Sequence, residues 1–224
     1  MKREIIITND GSKTIHIPEW NEQYHSIHGA IQEAKHVYIK HGLAFFLASE
    51  MYSKASEVSI LEIGFGTGLN AFLTAIEAEK LNVNCNYVGV EGFPVTKAEI
   101  EALNYSEVLK NRDLFKAIHN TLWEEKTNVS KRFQLKKEEK QFSKIQTINT
   151  FDVIYFDAFG PRVQPELWIE SIFKIMYDAL KSKGVLVTYC AQGDARRAMM
   201  AVGFTVSKVE GPPGKRHMLR AIKG

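Results

Sequence analysis

Short, almost wholly apolar runs alternate along this chain with longer segments in which apolar residues return every three or four positions. Four of the runs are VSILEI at 58–63, NCNYVGVE at 84–91, FDVIYFDAF at 151–159 and GVLVTYC at 184–190. They are too short for helices, so each predicts a strand, and the continuous runs at 151–159 and 184–190 predict buried ones. RFQLKK at 132–137 reads as a further strand. Helical spacing fills the intervals, over 69–80, 94–108, 112–125, 165–180 and 194–202, with Pro94 suited to a first helical turn. Before this core, strands at 3–8 and 14–18 flank Asp10-Gly11, a hairpin signal, and a helix is expected over 29–52. After it, GFTVSKVEGPPGKRHMLRAI reads as two antiparallel strands joined at Gly-Pro-Pro-Gly. Strands alternating with helices, closed by a hairpin, describe an open, mostly parallel α/β sheet. The expected organisation is one domain over 1–224, with 1–50 an N-terminal arm and lid and 51–224 the core.

Composition narrows the class. The chain is 45% hydrophobic and 25% charged over 224 residues, ordinary values for a globular protein. No apolar run approaches the ~18 residues that suggest a membrane span, and the start lacks a signal-peptide core. Cys85 and Cys190 both fall in strand-like segments, outside any metal-type cluster. A cytoplasmic address, with no metal and no membrane, is expected. The net charge is only +3, yet residues 181–224 carry nine Lys or Arg against two acids, or +7, which leaves about −4 for the remainder. A basic end on a mildly acidic body suggests a polyanionic partner, nucleic acid being the commonest; a solvated basic surface is the plain alternative.

The chemistry concentrates at strand ends. VSILEIGFGTGLN runs from a strand through Glu62 into three alternating glycines, Gly64, Gly66 and Gly68, and then a helix. Glycine there lets the backbone turn sharply and a flat ligand come close. The E-x-G-x-G-x-G form resembles the S-adenosylmethionine loop of class I methyltransferases, although any strand-to-helix turn favours glycine. Its backbone N–H groups are expected to meet a carboxylate. Glu91 ends the next strand, where an acid can accept from both ribose hydroxyls; a merely exposed strand-end glutamate is the alternative. Asp157 follows Val153-Ile154-Tyr155-Phe156, and a carboxylate ending an apolar strand must be paired, hydrated or functional. It is suited to hold an incoming amine and accept its proton, or else to cap the following helix. Glu138 is the expected contact to the adenine edge, against a solvated charge run. In the arm, Tyr24 and Glu33 are expected on the cofactor side, while His25, His28 and His36 lack the spacing of a metal site.

Four segments together carry a wider resemblance: YHSIHGAIQEAKHVYI (24–39), LEIGFGTGLN (61–70), YFDAFGPRVQPELW (155–168) and the tail TYCAQGDARRAMMAVGFTVSKVEGPPGKRHMLRA (188–221). They are similar to the tRNA 5-methylaminomethyl-2-thiouridine methyltransferases, the methyltransferase half of bifunctional MnmC enzymes and its standalone relatives. The resemblance implies a class I, Rossmann-like, mostly parallel seven-stranded sheet. It implies S-adenosylmethionine-dependent N-methylation of the aminomethyl group of 5-aminomethyl-(2-thio)uridine at the tRNA wobble position, with the tRNA anticodon loop as partner. Asp157 would be catalytic, with Glu62, Gly64, Gly66 and Gly68 lining the cofactor and Glu91 at its ribose.

An alkylamine is mostly protonated at neutral pH, and a nearby carboxylate alone raises its pKa. Asp157 therefore fits an orienting group and late proton acceptor better than a ground-state base. Phe159 and Trp168, with Tyr24, are expected to stack an extruded base, unless Trp168 only packs its helix on the sheet. Lys215 and Arg216 are expected to hold the nucleic acid. An end at Gly224 leaves no room for a flavin-dependent oxidase, so separate enzymes would supply the aminomethyluridine. The segment 131–149 is lysine-rich and lacks the Gly-Asp expected after the third core strand, a departure that falls on Glu138. A polyamine aminopropyltransferase-like enzyme and a non-catalytic tRNA-binding protein with a vestigial site are the competing readings.

Overall fold

In the computed structural model, which describes residues 2–52 and 57–224, strands β1 (Glu4–Ile7) and β2 (Lys13–Ile17) pair antiparallel around Asp10-Gly11. Gly11 sits at φ +81°, the left-handed turn that its lack of a side chain permits. A short strand, β3 (Glu22–Gln23), completes this small sheet. The helix expected at 29–52 is continuous only in outline. It comprises α1 (Ala30–Ala34), a π-helical stretch (Lys35–Ala44) and α2 (Phe45–Leu47). The wide turns set Gly42 onto the main sheet, where a Cβ would lie 2.9 Å from the Tyr155 ring and 3.0 Å from Val187.

The core then alternates as the pattern predicts: β4 (Glu57–Ile63), α3 (Leu69–Leu81), β5 (Asn84–Glu91), α4 (Lys97–Ala102), α5 (Tyr105–Val108), α6 (Arg112–Asn120), β6 (Lys126–Asn128), β7 (Phe133–Glu139) and β8 (Phe151–Phe156). It continues with α7 (Glu170–Ala179), β9 (Leu180–Thr188), α8 (Gly193–Ala201), β10 (Phe204–Glu210) and β11 (His217–Lys223). One sheet runs β10-β11-β9-β8-β4-β5-β7-β6, parallel through its centre and antiparallel at both edges. It has eight strands where seven were expected. The extra one, β6, pairs antiparallel with β7 and reads Lys-Thr-Asn, so it carries no apolar period to reveal it.

Helix boundaries moved for identifiable reasons. Thr96 and Glu99 form a reciprocal capping box, which starts α4 at Lys97 although Pro94 had suggested an earlier first turn. The expected single helix breaks at Asn104, whose amide donates to Gly11 O (2.9 Å) and accepts from Lys13 N (2.7 Å), tying it to the β1–β2 hairpin. Pro165 opens only a short 3-10 turn ahead of α7. Trp168, buried between them, donates from Nε1 to Phe159 O at 2.8 Å.

Apolar layers cover both faces of the sheet. One holds Phe72, Tyr87, Phe133 and Tyr155; the other holds Phe156, Trp168, Phe173 and Met199. The chain leaves β4 toward β5 and β7 on one side and toward β8 and β9 on the other. Ligand crevices in open α/β sheets form at such a reversal, beyond the carboxyl ends of the strands. Here those ends are the glycine turn after Ile63 and Asp157 after Phe156. No helix among the described residues is long and apolar enough to cross a membrane.

Candidate active site

Parallel pairing of β4 with β8 brings the two strand ends together. Asp157 N donates to Ile63 O at 2.9 Å, and a Cβ on Gly64 (φ +86°) would lie 2.6 Å from Asp157 O. Gly66 (φ +48°) meets the arm, where a Cβ would lie 3.1 Å from the Tyr24 ring. His25 secures the same contact from below, with Nε2 2.8 Å from Thr67 Oγ1. Burial lowers the His25 pKa to about 4, so the imidazole is neutral there.

Four amides of the turn already have acceptors within the protein. Gly64 N and Phe65 N both donate to Val90 O, at 2.9 and 3.1 Å, and Gly68 N donates to Phe65 O at 2.8 Å. Gly66 N donates to Glu91 Oε2 at 2.9 Å, and Phe93 N to Glu91 Oε1 at 2.9 Å. The sequence reading had assigned these turn amides to a ligand carboxylate. They are instead spent on the strand end and on Glu91, because a tight turn satisfies its own donors first.

Behind the turn, Asn70 organises two carboxylates. Its Nδ2 donates to Glu62 Oε1 at 2.9 Å and to Asp157 Oδ2 at 2.8 Å, while its Oδ1 is buried with no hydrogen-bond partner among the described residues. Tyr87 donates its hydroxyl to Glu62 Oε2 at 2.8 Å. Glu62 is fully buried, and burial drives its pKa well above the usual carboxylate range. Desolvation also raises Asp157, to about 7, with the negative charge of Glu33 adding to the effect. Tyr38, Asn70 and Lys215 oppose it by favouring the ionised form. The Tyr38 hydroxyl is buried beside Asp157 without a partner at hydrogen-bond distance among the described residues.

Of these groups Asp157 opens onto a cleft of about 1530 Å³ between the arm, the strand ends and the β10–β11 turn. Gly64, Gly66, Glu91 and Asp157 line it, as do Tyr24 and Glu33 from the arm and Phe159, Lys215 and Arg216 opposite. So nine of the residues singled out in the sequence share one cavity.

Four others do not. Glu62 lies beneath the turn, serving Asn70 and Tyr87, and is sealed from the cleft. Gly68 faces the other way, where a Cβ would lie 2.9 Å from the His119 ring. Glu138 is held by Lys136 (2.6 Å) and Lys140 (2.7 Å), and the segment that reaches the cleft beyond β7 is Gln141-Phe142-Ser143. Trp168 is 4% exposed and packs on Phe156 and Phe173. The tryptophan at the mouth is Trp20, edge-on to Phe159 at 5.4 Å, with Tyr24 against the same ring at 5.0 Å.

The expected basic surface is also partly spent. Lys215 Nζ binds Glu33 Oε1 at 2.7 Å, Lys181 pairs with Asp152 and Arg197 with Asp194, leaving Lys208 and Arg216 as exposed cations on the rim.

Sequence reasoning passed over Asn70, Tyr38 and Tyr189, which lines the cleft and donates its hydroxyl to Ala158 O at 3.0 Å. For Asn70 a signal existed: it is the one polar residue in LNAFL, the apolar start of α3.

A family model described as S-adenosyl-L-methionine-dependent methyltransferase matches residues 101–224. The chain is 29% identical over 223 residues to the tRNA 5-methylaminomethyl-2-thiouridine biosynthesis bifunctional protein MnmC of Delftia acidovorans, covering 93% of this chain and 33% of that protein. It spans about a third of the length of the curated relatives it matches. Among solved structures, MNMC2 from Aquifex aeolicus superposes with a TM-score of 0.82 at 23% identity, covering 98% of this chain and 69% of that one. Spermidine synthase from Thermotoga maritima superposes with a TM-score of 0.59 at 16% identity, covering 99% and 68%. Both likenesses are of fold.

Proposed function

This chain belongs to the S-adenosyl-L-methionine-dependent methyltransferases, and from that premise we propose that it methylates the aminomethyl nitrogen of 5-aminomethyl-(2-thio)uridine at the wobble position of tRNA. The observation that carries the proposal is the contact of the glycine turn with Asp157, a carboxylate held 2.8 Å from Asn70 Nδ2 in the wall of the cleft. The similarity to MnmC over 93% of the chain supports the choice of substrate.

The cleft suits the cofactor. The bare backbone at Gly64 lets the turn close on Asp157 and that at Gly66 lets Tyr24 pack over it, so both walls of the cleft come together, and Glu91 stands at the end of β5 where a ribose edge would lie. Gln141, Phe142 and Ser143 line the far wall, and we assign the adenine edge to that segment in place of Glu138. S-adenosylmethionine, when bound, supplies a methyl carbon activated by a sulfonium charge.

The chain's own residues do the rest. Asp157 orients the amine through its carboxylate and takes the proton that the nitrogen sheds as its new bond forms. With its pKa near 7, Asp157 is substantially ionised at neutral pH and well matched to receive that proton. Asn70 fixes Oδ2, so the other carboxylate oxygen is left for the amine. Trp20, Tyr24 and Phe159 form an aromatic mouth onto which an extruded base can stack, and Lys208 and Arg216 sit where phosphates would pass.

Incubation with methyl-labelled cofactor and aminomethylated tRNA, followed by mass spectrometry of the nucleosides, tests the proposal. The label should enter methylaminomethyluridine at the wobble position. Label in a different nucleoside, or none in tRNA while a free polyamine is modified, refutes it.

A further inference from the structure

The Glu33–Lys215 ion pair joins the arm to the last turn of the chain inside the cleft. Glu33, on α1, is 6% exposed and accepts from Ser26 N (2.9 Å) and from Lys215 Nζ (2.7 Å). Lys215 arrives from the β10–β11 turn, 182 residues later in the chain, and its ammonium lies 4.1 Å from the centre of the Tyr189 ring. Gly214 (φ +84°) lets that turn close on the arm, since a Cβ there would run into His28.

Both members of the pair line the cavity that also contains Gly64 and Asp157, and both act on the charge of Asp157 in opposite senses. Lys215 has three ammonium donors, of which Glu33 takes one, and the second Glu33 oxygen holds only a backbone amide. A negative and a positive group side by side, each with capacity left, complement a ligand end that carries a positive and a negative group on one carbon. Four of the turn amides, those of Gly64, Phe65, Gly66 and Gly68, already donate within the protein.

We propose that the Glu33–Lys215 pair recognises the zwitterionic amino-acid end of the cofactor, Glu33 taking its ammonium and Lys215 its carboxylate, so that the site accepts S-adenosylmethionine and rejects the decarboxylated, amine-only form. This rests on the methyltransferase reading of the cleft and assigns Lys215 to the cofactor in place of tRNA. With the carboxylate gone, the ligand offers Lys215 no partner and brings a second cation beside it, which the local charge disfavours.

Titration calorimetry with three nucleosides tests the assignment without turnover. S-adenosylhomocysteine carries the zwitterion, 5′-(3-aminopropylthio)adenosine only the amine, and 5′-methylthioadenosine neither. The wild-type chain should bind the first at least roughly tenfold more tightly than the second, the scale of one charge-assisted hydrogen bond. Lys215→Met should erase that preference and Glu33→Gln should weaken both amine-bearing ligands, each leaving 5′-methylthioadenosine affinity unchanged.

Equal wild-type affinity for the first two nucleosides overturns the proposal, and so does a Lys215→Met variant that keeps the preference. The wild-type comparison decides alone if a variant does not fold. Should none of the three bind the wild type, the cofactor cleft itself is refuted, a result distinct from loss of the preference.

Discussion

Asn70 donates to Asp157 Oδ2 across 2.8 Å, and through that bond the helix behind the glycine turn sets the direction in which the carboxylate faces. The same nitrogen reaches Glu62, so a buried acid anchors the group that aims an accessible one.

Asn70→Ala removes this aim and leaves Glu62 with only the Tyr87 hydroxyl. Methyl transfer should fall by about 10²-fold, the scale of a displaced reacting group, while S-adenosylhomocysteine affinity changes little. Stability should drop by about 1–3 kcal/mol for the buried acceptor left short of a donor. Kinetics and urea denaturation of the purified variant measure both, and unaltered turnover would remove Asn70 from the machinery.

Asp157→Asn separates chemistry from stability. Transfer should fall by about 10²–10⁴-fold with the loss of the proton acceptor. The stability effect has a definite sign. The folded pKa of Asp157 is raised from 3.8 to about 7, so the native state holds a proton that the unfolded chain releases. Its contribution is therefore greatest below pH 4 and is lost as pH rises from there through about 7. The melting temperature of Asp157→Asn relative to wild type should climb between about pH 4 and pH 7 and level off above; a flat difference would show that the carboxylate is not raised. Wild-type turnover should increase over the acid side of pH 7 as Asp157 ionises.

Gly64→Ala places a methyl at 2.6 Å from the Asp157 carbonyl, a backbone atom with little freedom to retreat, and at φ +86°. We expect a stability loss exceeding the ~1–2 kcal/mol of a left-handed non-glycine residue, together with loss of nucleoside binding. Calorimetry against S-adenosylhomocysteine reads the second effect directly, and retained affinity would show that the turn is not in contact with the ligand.

Trp168→Leu addresses the residue that the sequence placed at the mouth and the fold buries. It should cost about 2–4 kcal/mol, from lost packing on Phe156 and Phe173 and the lost bond to Phe159 O. Its effect on tRNA affinity in filter binding should be small. Trp20→Ala should do the reverse, weakening tRNA binding while leaving the melting temperature within a few degrees of wild type.

Much of the core was written in local pattern. The expected strand at 151–159 contains β8, Phe151–Phe156, because a central parallel strand is buried on both faces and tolerates few polar residues. The glycine spacing and the aspartate after FDVIYF follow from the same locality, since each marks the end of a strand. Where local cues competed, the tertiary structure settled the outcome. Asn104 breaks a helix to serve a hairpin some 90 positions earlier, at Gly11 and Lys13.

What the sequence determined by itself was thus the order of elements and the two strand ends that meet: periodicity and turn chemistry act over a few residues and need no partner. Which side chains face the cleft was decided only by packing. Glu62 and Glu91 both end strands, yet one is sealed under Tyr87 while the other opens to the cavity. Trp168, expected at the mouth, is buried while Trp20 lines the cleft for the same reason, and Glu33 meets Lys215 only because the last turn of the chain folds onto the arm. Exposure and charge pairing depend on neighbours distant in sequence, and no local pattern of residues encodes them.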